Sequence, residues 1–223
     1  GFVMSVIPEG AGRRLLDIGC GDGSFLRAAQ KAGWIVAGTE LNPQSVQEAG
    51  IEVTDDCAQL PATSFDCITM WHALEHMHDI RSMLAQTARL LKPEGRLIIA
   101  LPDFGGLQAL LFRDRWLHLD VPRHLYHFDT GALRHCLGMA GFSIQRYWHQ
   151  ELEYDLLGWS QSALNCLLPH PNLFFNLITG KPLSSGTHMK VAGLLLGATL
   201  TLLALPLLAV GTLLGRGGSL IVV

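Results

Sequence analysis

The stretch LLDIGCGDGSF, residues 15–25, limits what this chain can fold into more than any other part of the sequence. Its first residues form an apolar run typical of a strand that is buried on both faces. Gly19, Gly21 and Gly23 follow, and a residue without a Cβ can adopt a positive φ and let a ligand approach the backbone. Residues 24–32 then have the pattern of a helix. This order predicts a strand, a tight turn and a helix N-terminus, whose N–H groups are available to a bound ligand.

Acidic residues around the turn distinguish a dinucleotide from S-adenosyl-L-methionine (SAM) as the ligand. The dinucleotide fingerprint requires a third glycine where this chain has Ser24. Asp17, two residues before the first glycine, would repel a pyrophosphate and suits a ligand that carries an ammonium group. Glu40 ends the apolar run WIVAGTE, where a carboxylate can accept hydrogen bonds from ribose hydroxyls, and Asp56, after IEVTD, is placed for the adenine amino group. The pattern favours SAM.

Five segments resemble, in their order and spacing, those of class I SAM-dependent methyltransferases. They are LLDIGCGDG, GTELNP, DDCAQLP, FDCITMWHALEH and LLKPEGRLIIALP, and the resemblance covers about residues 13–150. It implies an enzyme that uses SAM as its methyl donor. It also implies a cofactor pocket lined by Asp17, Gly19, Cys20, Gly21, Gly23, Glu40, Leu41, Asp56, Cys57 and Trp71.

The hydrophobic pattern alternates between strands and helices. Strands are predicted near 14–18, 34–39, 51–54, 65–70, 96–101 and 142–148, and helices near 24–32, 43–49, 79–91 and 130–140. This is the pattern of an α/β protein with a doubly wound, Rossmann-like sheet that binds ligands at the carboxyl ends of its strands. We expect a SAM-binding catalytic domain at 1–150, a hydrophobic helical insertion at 151–216, and the last strand of a seven-stranded methyltransferase sheet at 217–223.

Composition restricts the partners and the compartment. The net charge is −3, and no cluster of basic and aromatic residues indicates a nucleic-acid partner. The five cysteines, an odd and scattered set without C-x-x-C spacing, predict reduced thiols and a cytoplasmic location. The oligomeric state is left open.

Histidines and a glutamate follow the fourth predicted strand, in WHALEHMH. In one interpretation, Glu75 and His76 only form hydrogen bonds with neighbouring loops. In a second, His76 is a base that deprotonates an oxygen nucleophile near neutral pH. In a third, His72, Glu75 and His76 share a helical face and bind a divalent transition metal. The stretch is similar to the E-x-x-E-H metal cluster of quinone-biosynthesis O-methyltransferases, but His72 replaces the first glutamate, which disfavours magnesium in particular.

A second polar and aromatic segment, RWLHLDVPRHLYHFDTGAL, follows the fifth predicted strand. It is similar to a methyltransferase subgroup associated with glycan and lipid modification, and its composition suits a lid over the acceptor. His124 is the first choice as general base and His76 the second. Arg123 is predicted to bind a phosphate or carboxylate of the acceptor; in the alternative interpretation, it pairs with Asp120 and only fixes the loop.

The C-terminal part of the chain is the other strong signal. Residues 156–223 contain no Asp or Glu, and two charge-free spans of 25 residues, 156–180 and 191–215, flank KPLSSGTHMK. The second span is long enough to cross a hydrocarbon core of ~30 Å as a helix. If SLIVV at 219–223 is the seventh strand, however, the chain must return to the sheet. We therefore expect a hairpin that adheres to a membrane; a true span, or a helical cap buried against the domain or a dimer partner, are the alternatives.

A membrane-adhering hairpin indicates an amphiphilic acceptor. The leading hypothesis is O-methylation of a glycan, lipid-linked or quinone-like molecule, by a protein that is peripheral or monotopic on the inner face of the membrane. N-methylation of a small molecule is one alternative. The other is a non-catalytic SAM-binding accessory protein that docks a partner through its hairpin.

Overall fold

The computed structural model describes residues 5–7, 9–41, 46, 50–182 and 186–223. Seven strands form one sheet in the order β3-β2-β1-β4-β5-β7-β6. Their bounds are β1 Arg14–Ile18, β2 Ile35–Thr39, β3 Glu52–Thr54, β4 Phe65–Trp71, β5 Leu91–Pro102, β6 Tyr147–Trp148 and β7 Ser219–Val222. The order confirms the predicted seven-stranded methyltransferase sheet, because the last strand lies between the fifth and the sixth.

The described helices connect these strands and form the insertion. They are α1 Ser24–Lys31, α2 Ile80–Leu90, α3 Leu107–Phe112, α4 Thr130–Met139, α5 Leu152–Leu167, α6 Leu173–Ile178 and α7 Thr187–Leu213. As predicted, α2 begins after an N-cap, since the side chain of Asp79 accepts a hydrogen bond from the Ser82 N–H at 3.0 Å. The helix predicted at 43–49 lies, apart from Val46, outside the described residues.

Parallel pairing sets the register at the centre of the sheet. Asp17 on β1 lies opposite Gly38 on β2 and opposite Thr69 on β4. Successive side chains of a strand point to opposite faces, and both faces of this sheet centre are buried. Each buried Leu or Ile stabilises the fold by roughly 1.5–3 kcal/mol. The largest fully buried side chains are Leu15, Leu16, Ile18, Leu26, Phe65, Ile68, Met70, Leu74, Leu84, Leu90, Ile98 and Ile99.

Two strand predictions differ from the structure. The sixth strand was expected over 142–148, but β6 covers only Tyr147–Trp148. Near it, Arg146 and Val223 exchange both backbone hydrogen bonds at 3.2 Å, an antiparallel pattern, whereas residues 142–144 are not assigned to a strand. The fifth strand begins at Leu91 rather than near 96, because Leu91 pairs with Phe65 across a register shift.

The chain divides into two compact units. The first unit comprises Gly1–Leu101, Gly131–Tyr147 and Ile221–Val223, and the second comprises Pro102–Thr130 and Trp148–Leu220. The second unit thus contains both the histidine-rich segment, defined here as residues 113–128, and the hydrophobic insertion. The sequence predicted 102–130 within the catalytic domain.

In the second unit, α7 packs against α5 and α6 through small residues. A Cβ on Gly193 would lie 2.7 Å from the Leu173 side chain, and one on Gly197 would lie 2.3 Å from the Phe174 ring. The buried residues of α7 are Gly193, Gly197, Ala204, Leu208 and Gly211. This narrow stripe of mostly small residues allows close helix contact and leaves the large side chains of α7 on the outside.

Candidate cofactor site and histidine-rich segment

The glycine-rich turn lies in the first unit between β1 and α1. Gly19, Gly21 and Gly23 have φ values of 75°, 53° and 71°, in the left-handed region where a side chain is strained. A Cβ on Gly19 would lie 2.8 Å from the Cβ of Ala73, whereas one on Gly21 would meet no atom within 4 Å. The turn therefore packs tightly at its first glycine and is open at its second, which leaves room for a ligand against the backbone.

Glu40 closes the other side of this turn. One of its carboxylate oxygens accepts a hydrogen bond from the Gly21 N–H and the other from the Leu41 N–H, both at 2.9 Å. The Leu41 side chain is 87% exposed. A carboxylate oxygen accepts more than one hydrogen bond, so Glu40 is fixed in position and retains lone pairs for the two hydroxyls of a ribose.

Asp17 is buried beneath the turn and bonded to Thr69. The Thr69 hydroxyl donates to Asp17 Oδ1 at 2.6 Å, across the register pair of β1 and β4. Burial raises the pKa of Asp17 to about 7, an effect that the Thr69 hydrogen bond opposes and the negative charge of Glu40 reinforces. A buried carboxylate without a cation favours a ligand that brings a positive charge, such as the ammonium group of SAM.

Asp56 and the two pocket cysteines have mainly structural contacts. Asp56 Oδ1 accepts a hydrogen bond from the Ala58 N–H at 2.8 Å and so caps the short helix Cys57–Gln59. Burial raises the pKa of the Cys57 thiol, and burial with nearby carboxylates raises that of Cys20 to about 12. Both thiols therefore stay protonated at neutral pH, and the cysteines contribute shape and backbone groups rather than a nucleophile.

The carboxyl end of β4 contains two buried polar groups without hydrogen bonds. Trp71 Nε1 and both carboxylate oxygens of Glu75 have no hydrogen-bond partner among the described residues. The Trp71 ring packs edge-on against Phe25 of α1, with centroids 5.6 Å apart. His72, at a left-handed φ of 48°, has its Nδ1 3.5 Å from Glu75 Oε1. Buried polar atoms without hydrogen bonds and a residue at a left-handed φ are typical of a functional site.

The turn after β4 does not form the continuous helix that the metal interpretation requires. Only Leu74–His76 form a short 3₁₀ helix, with the His76 N–H bonded to the Ala73 carbonyl at 3.1 Å. The structure nevertheless brings both histidines to Glu75, since a ring nitrogen of His76 lies within 4.8 Å of a Glu75 carboxylate oxygen. The metal site of His72, Glu75 and His76 stays a prediction. His76 is half-buried beside them in the chain, and its role as a base also stays a prediction.

In the second unit, histidines of the histidine-rich segment bind backbone carbonyls. His124 Nδ1 lies 2.8 Å from the His118 carbonyl oxygen, and His127 Nε2 lies 2.8 Å from that of Leu119. A carbonyl only accepts, so each of these ring nitrogens carries the proton in the neutral tautomer. The Arg123 guanidinium pairs with Asp120, whose Oδ2 is also 4.0 Å from His124 Nε2.

Hydrogen bonds attach this segment to α5. The Leu117 N–H donates to Ser162 Oγ at 2.9 Å, and Asn165 exchanges hydrogen bonds with the backbone and side chain of Arg115, at 3.0 and 2.7 Å. The buried polar residues of α5 are therefore paired. The histidine-rich segment, which contains the candidate base His124, and the long helix α7 both pack against α5. They therefore belong to one compact unit.

The sequence did not identify Thr69 as a site residue. For Glu75 and His72 it left open whether they form structural contacts or bind a metal. Thr69 is one of several small residues in the apolar run FDCITMW, and its contact with Asp17 depends on the register of β1 against β4. No local pattern signals that register. Aligning the carboxyl ends of β1 and β4, as in a parallel sheet, would have reduced the number of β4 residues that could contact Asp17.

The residues of the first unit fit SAM. The turn has open space above Gly21, the Glu40 oxygens suit ribose hydroxyls, the buried Asp17 suits an ammonium group, and Trp71 Nε1 is an unused donor. Comparison with curated proteins agrees. The chain is 34% identical over 105 residues to the ubiquinone biosynthesis O-methyltransferase of Xanthomonas axonopodis pv. citri (strain 306), which covers 41% of this chain and 44% of that enzyme.

A second relative acts on a different class of molecule. The 27-O-demethylrifamycin SV methyltransferase of Amycolatopsis mediterranei (strain S699) is 34% identical over 126 residues, 48% of this chain and 46% of that protein. The chain thus spans less than half the length of the curated relatives it matches. Among solved structures, phosphoethanolamine N-methyltransferase 2 of Haemonchus contortus in complex with SAM superimposes with a TM-score of 0.61 at 18% identity, over 99% of this chain and 50% of that one.

At 18% identity, the similarity to this structure shows only that the two proteins share the fold of SAM-dependent methyltransferases. The family described as "Methyltransferase domain" matches residues 4–147, which is 144 of the 223 residues. The match contains every residue of the predicted cofactor pocket and most of the sheet. The chain therefore belongs to the methyltransferase-domain family.

Proposed function

We propose that this protein is a SAM-dependent O-methyltransferase of an amphiphilic small molecule, such as a glycan-lipid, a lipid-linked or a quinone-like acceptor, at the cytoplasmic face of a membrane. The observation that carries the proposal is that one compact unit contains both the histidine-rich segment and a long, largely exposed apolar helix. The named quinone and rifamycin O-methyltransferases among the relatives support a small-molecule acceptor and transfer to oxygen.

The first unit holds the cofactor. SAM supplies an activated methyl group on a sulfonium, so the protein's contribution is binding, alignment and exclusion of water. Glu40, fixed by two backbone N–H groups, binds the ribose, and Asp17 binds the ammonium group. Asp56, at the end of β3, binds the adenine amino group. Positioning of this kind contributes several kcal/mol to the lowering of the barrier.

His124 is the proposed general base, and His76 is the second candidate. Its Nδ1 donates to the His118 carbonyl, so Nε2 is the nitrogen that accepts the proton of the acceptor hydroxyl. Asp120, 4.0 Å from Nε2, stabilises the imidazolium that results. Base assistance contributes roughly 10²- to 10⁴-fold in rate. Arg123, held by Asp120, is the proposed ligand of an anionic group on the acceptor.

Helix α7 supports binding to a membrane. It has 27 residues and is the one described helix that is long and apolar enough to cross a bilayer. The core helix of a soluble protein can have the same length and composition. A core helix is mostly buried, whereas only 22% of the apolar window of α7 is buried. Large exposed side chains follow one another along it, namely Val191, Leu194, Leu195, Leu196, Leu202, Leu203, Leu205, Leu207, Val210 and Leu213.

The sheet order supports a hairpin that enters one leaflet rather than a single crossing. β6 precedes the insertion and β7 follows it, and these strands are neighbours in the sheet. A single crossing would place them on opposite sides of the bilayer. Lys190, in the first turn of α7, and Arg216, just after its end, would both lie at the headgroups if α7 rests in the interface.

The experiment is transfer from methyl-labelled SAM into an extract of the source cells, followed by partition between organic and aqueous phases. We expect label in the organic phase. Label only in the aqueous phase would contradict a lipid acceptor, and SAM binding without any transfer would favour a SAM-binding accessory protein.

Flotation with phospholipid vesicles tests the membrane part. The double variant Leu195→Glu/Leu203→Glu places two charges on the exposed face of α7 and is expected to remain in the bottom fraction. The matched control is Ile35→Glu/Met139→Glu, which adds the same charge at exposed apolar positions of the first unit and is expected to float like the unmodified protein. Equal flotation of both variants would refute the role of α7.

A further inference from the structure

We propose that a groove on the second unit binds the apolar chain of an acceptor whose anionic headgroup pairs with Arg113; this rests on the proposed function and names its substrate class. The groove has a volume of about 460 Å³, within the range of sites that hold small ligands. It is lined by Phe104, Ala109, Leu110, Arg113, Asp114 and Leu119.

The short helix beside the groove has an inverted distribution of polar and apolar side chains. On α3, Gln108 is fully buried, whereas Leu110 and Leu111 are 52% and 65% exposed. Gln108 is paired, because its Nε2 donates to the Asp155 carbonyl at 2.9 Å and its Oε1 accepts from Trp116 Nε1 at 3.3 Å. The hydrophobic effect favours the opposite arrangement unless an apolar partner covers these leucines, and Leu110 is the one that lines the groove.

Aromatic contacts connect the groove to the candidate base. The Phe104 side chain lines the groove, is 46% exposed, and packs on the His127 ring with centroids 5.3 Å apart. His127 in turn lies 6.3 Å from the His124 ring. Two ring contacts therefore connect the groove to the imidazole that we propose to accept the proton.

The charges at the rim favour an anion. The groove is lined by one cation and one anion, Arg113 and Asp114, and Arg115 follows Asp114 in the chain. Asp114 Oδ2 lies 3.9 Å from Arg115 Nε, so those two charges offset one another, and Arg113 is the remaining cation at the groove. A guanidinium binds a phosphate or carboxylate through two parallel hydrogen bonds.

The size of the groove indicates one ligand chain rather than a protein partner. A stable protein interface buries ~800 Å² on each partner and involves 20–30 residues. The groove has six lining residues and a single unpaired charge, which matches a phosphorylated or carboxylated chain of lipid type.

The test is calorimetric titration with dodecyl phosphate below its critical micelle concentration, with dodecanol and inorganic phosphate as comparison ligands. Leu110→Asp is expected to weaken dodecyl phosphate binding by about tenfold or more. Its matched control is Met139→Asp, the same change in charge at an exposed apolar site of the first unit, which is expected to bind as the unmodified protein does.

A second pair of variants isolates the charge. Arg113→Gln is expected to weaken dodecyl phosphate binding about fivefold or more and to leave dodecanol binding unchanged, whereas Lys31→Gln, an exposed cation of the first unit, changes neither. Equal loss in Leu110→Asp and Met139→Asp, loss in Met139→Asp alone, or inorganic phosphate binding as tightly as dodecyl phosphate would overturn the proposal.

Failure of the groove and failure of the proposed function give different results. Label transferred into the organic phase by a protein that does not bind dodecyl phosphate would overturn the groove and leave the function standing. Dodecyl phosphate binding that depends on Leu110 and Arg113, without methyl transfer to any extract, would support the groove and refute the function. Thermal unfolding and SAM affinity, measured on each variant, exclude misfolding as the cause.

Discussion

The affinity for SAM is expected to depend on pH through Asp17. This carboxyl is fully buried in the first unit, and its pKa is raised to about 7, so at neutral pH only about half of the molecules without ligand have a charged Asp17. If the ionised form binds the ammonium group, affinity falls about tenfold for each pH unit below 7. At pH 5 roughly 1% is ionised, which predicts affinity about 100-fold lower than at pH 8.

Two variants identify Asp17 as the titrating group. Asp17→Asn is expected to bind SAM weakly with no dependence on pH in this range. Thr69→Val removes the hydroxyl that donates to Asp17 at 2.6 Å and stabilises its charged form. The midpoint of the pH dependence of SAM affinity is therefore expected to move to higher pH by about one unit. Thr87→Val, which changes an equally buried threonine in α2, is expected to leave the midpoint where it is.

The measurement is calorimetric titration with SAM from pH 5 to pH 8 at constant ionic strength. Unfolding by circular dichroism at each pH verifies that the protein stays folded. An affinity that is constant over this range, or a midpoint that moves to lower pH in Thr69→Val, would refute the assignment of Asp17 to the ammonium group.

Further predictions concern the same pocket. Glu40→Ala is expected to weaken SAM binding tenfold or more by calorimetry, because it removes both acceptors for the ribose hydroxyls. Unchanged affinity would refute the assignment of Glu40 to the ribose. Gly19→Ala adds a Cβ that lies 2.8 Å from Ala73 to the strain of a positive φ and should lower the free energy of unfolding by about 2–4 kcal/mol. Gly21→Ala has only the strain, about 1–2 kcal/mol, and should mainly lower SAM affinity. Denaturant titration that ranks the two alanine variants in the opposite order would contradict this. Without ligand, Asp17→Asn should raise the free energy of unfolding at pH 8 by up to about 4 kcal/mol and not at pH 4, because a carboxyl with a raised pKa destabilises the fold as pH rises from about 4 to 7.

Features that depend on neighbouring residues were predictable from the sequence. The glycine-rich turn, the helix after it and the N-cap at Asp79 depend on backbone freedom and side chains within a few residues. The position of SLIVV between the fifth and sixth strands followed from the family's sheet and was confirmed. Glu40 and Gly21, 19 residues apart, were assigned to one pocket because parallel strands end at the same edge of a sheet.

The local conformation of WHALEHMH was not predictable from its spacing, because residues at i, i+3 and i+4 share a face only where the segment is a helix. The structure instead has His72 at a left-handed φ and a short 3₁₀ helix. His72 Nδ1 lies 3.5 Å from Glu75 Oε1, and a ring nitrogen of His76 lies within 4.8 Å of a Glu75 carboxylate oxygen. The length of β6 was also not predictable from the hydrophobic pattern, because a strand extends only as far as its neighbouring strand provides hydrogen bonds.

The sequence by itself determined the class of fold, the cofactor turn and the acidic residues around it, because spacing along the chain and local conformational preferences specify them. The tertiary structure decided which partner each polar group has. Thr69 meets Asp17 across 52 residues, Gln108 meets the Asp155 carbonyl across 47, and the carbonyl of His118 selects the tautomer of His124. These contacts depend on strand register and helix packing, which arise from the burial of the whole core rather than from any single segment.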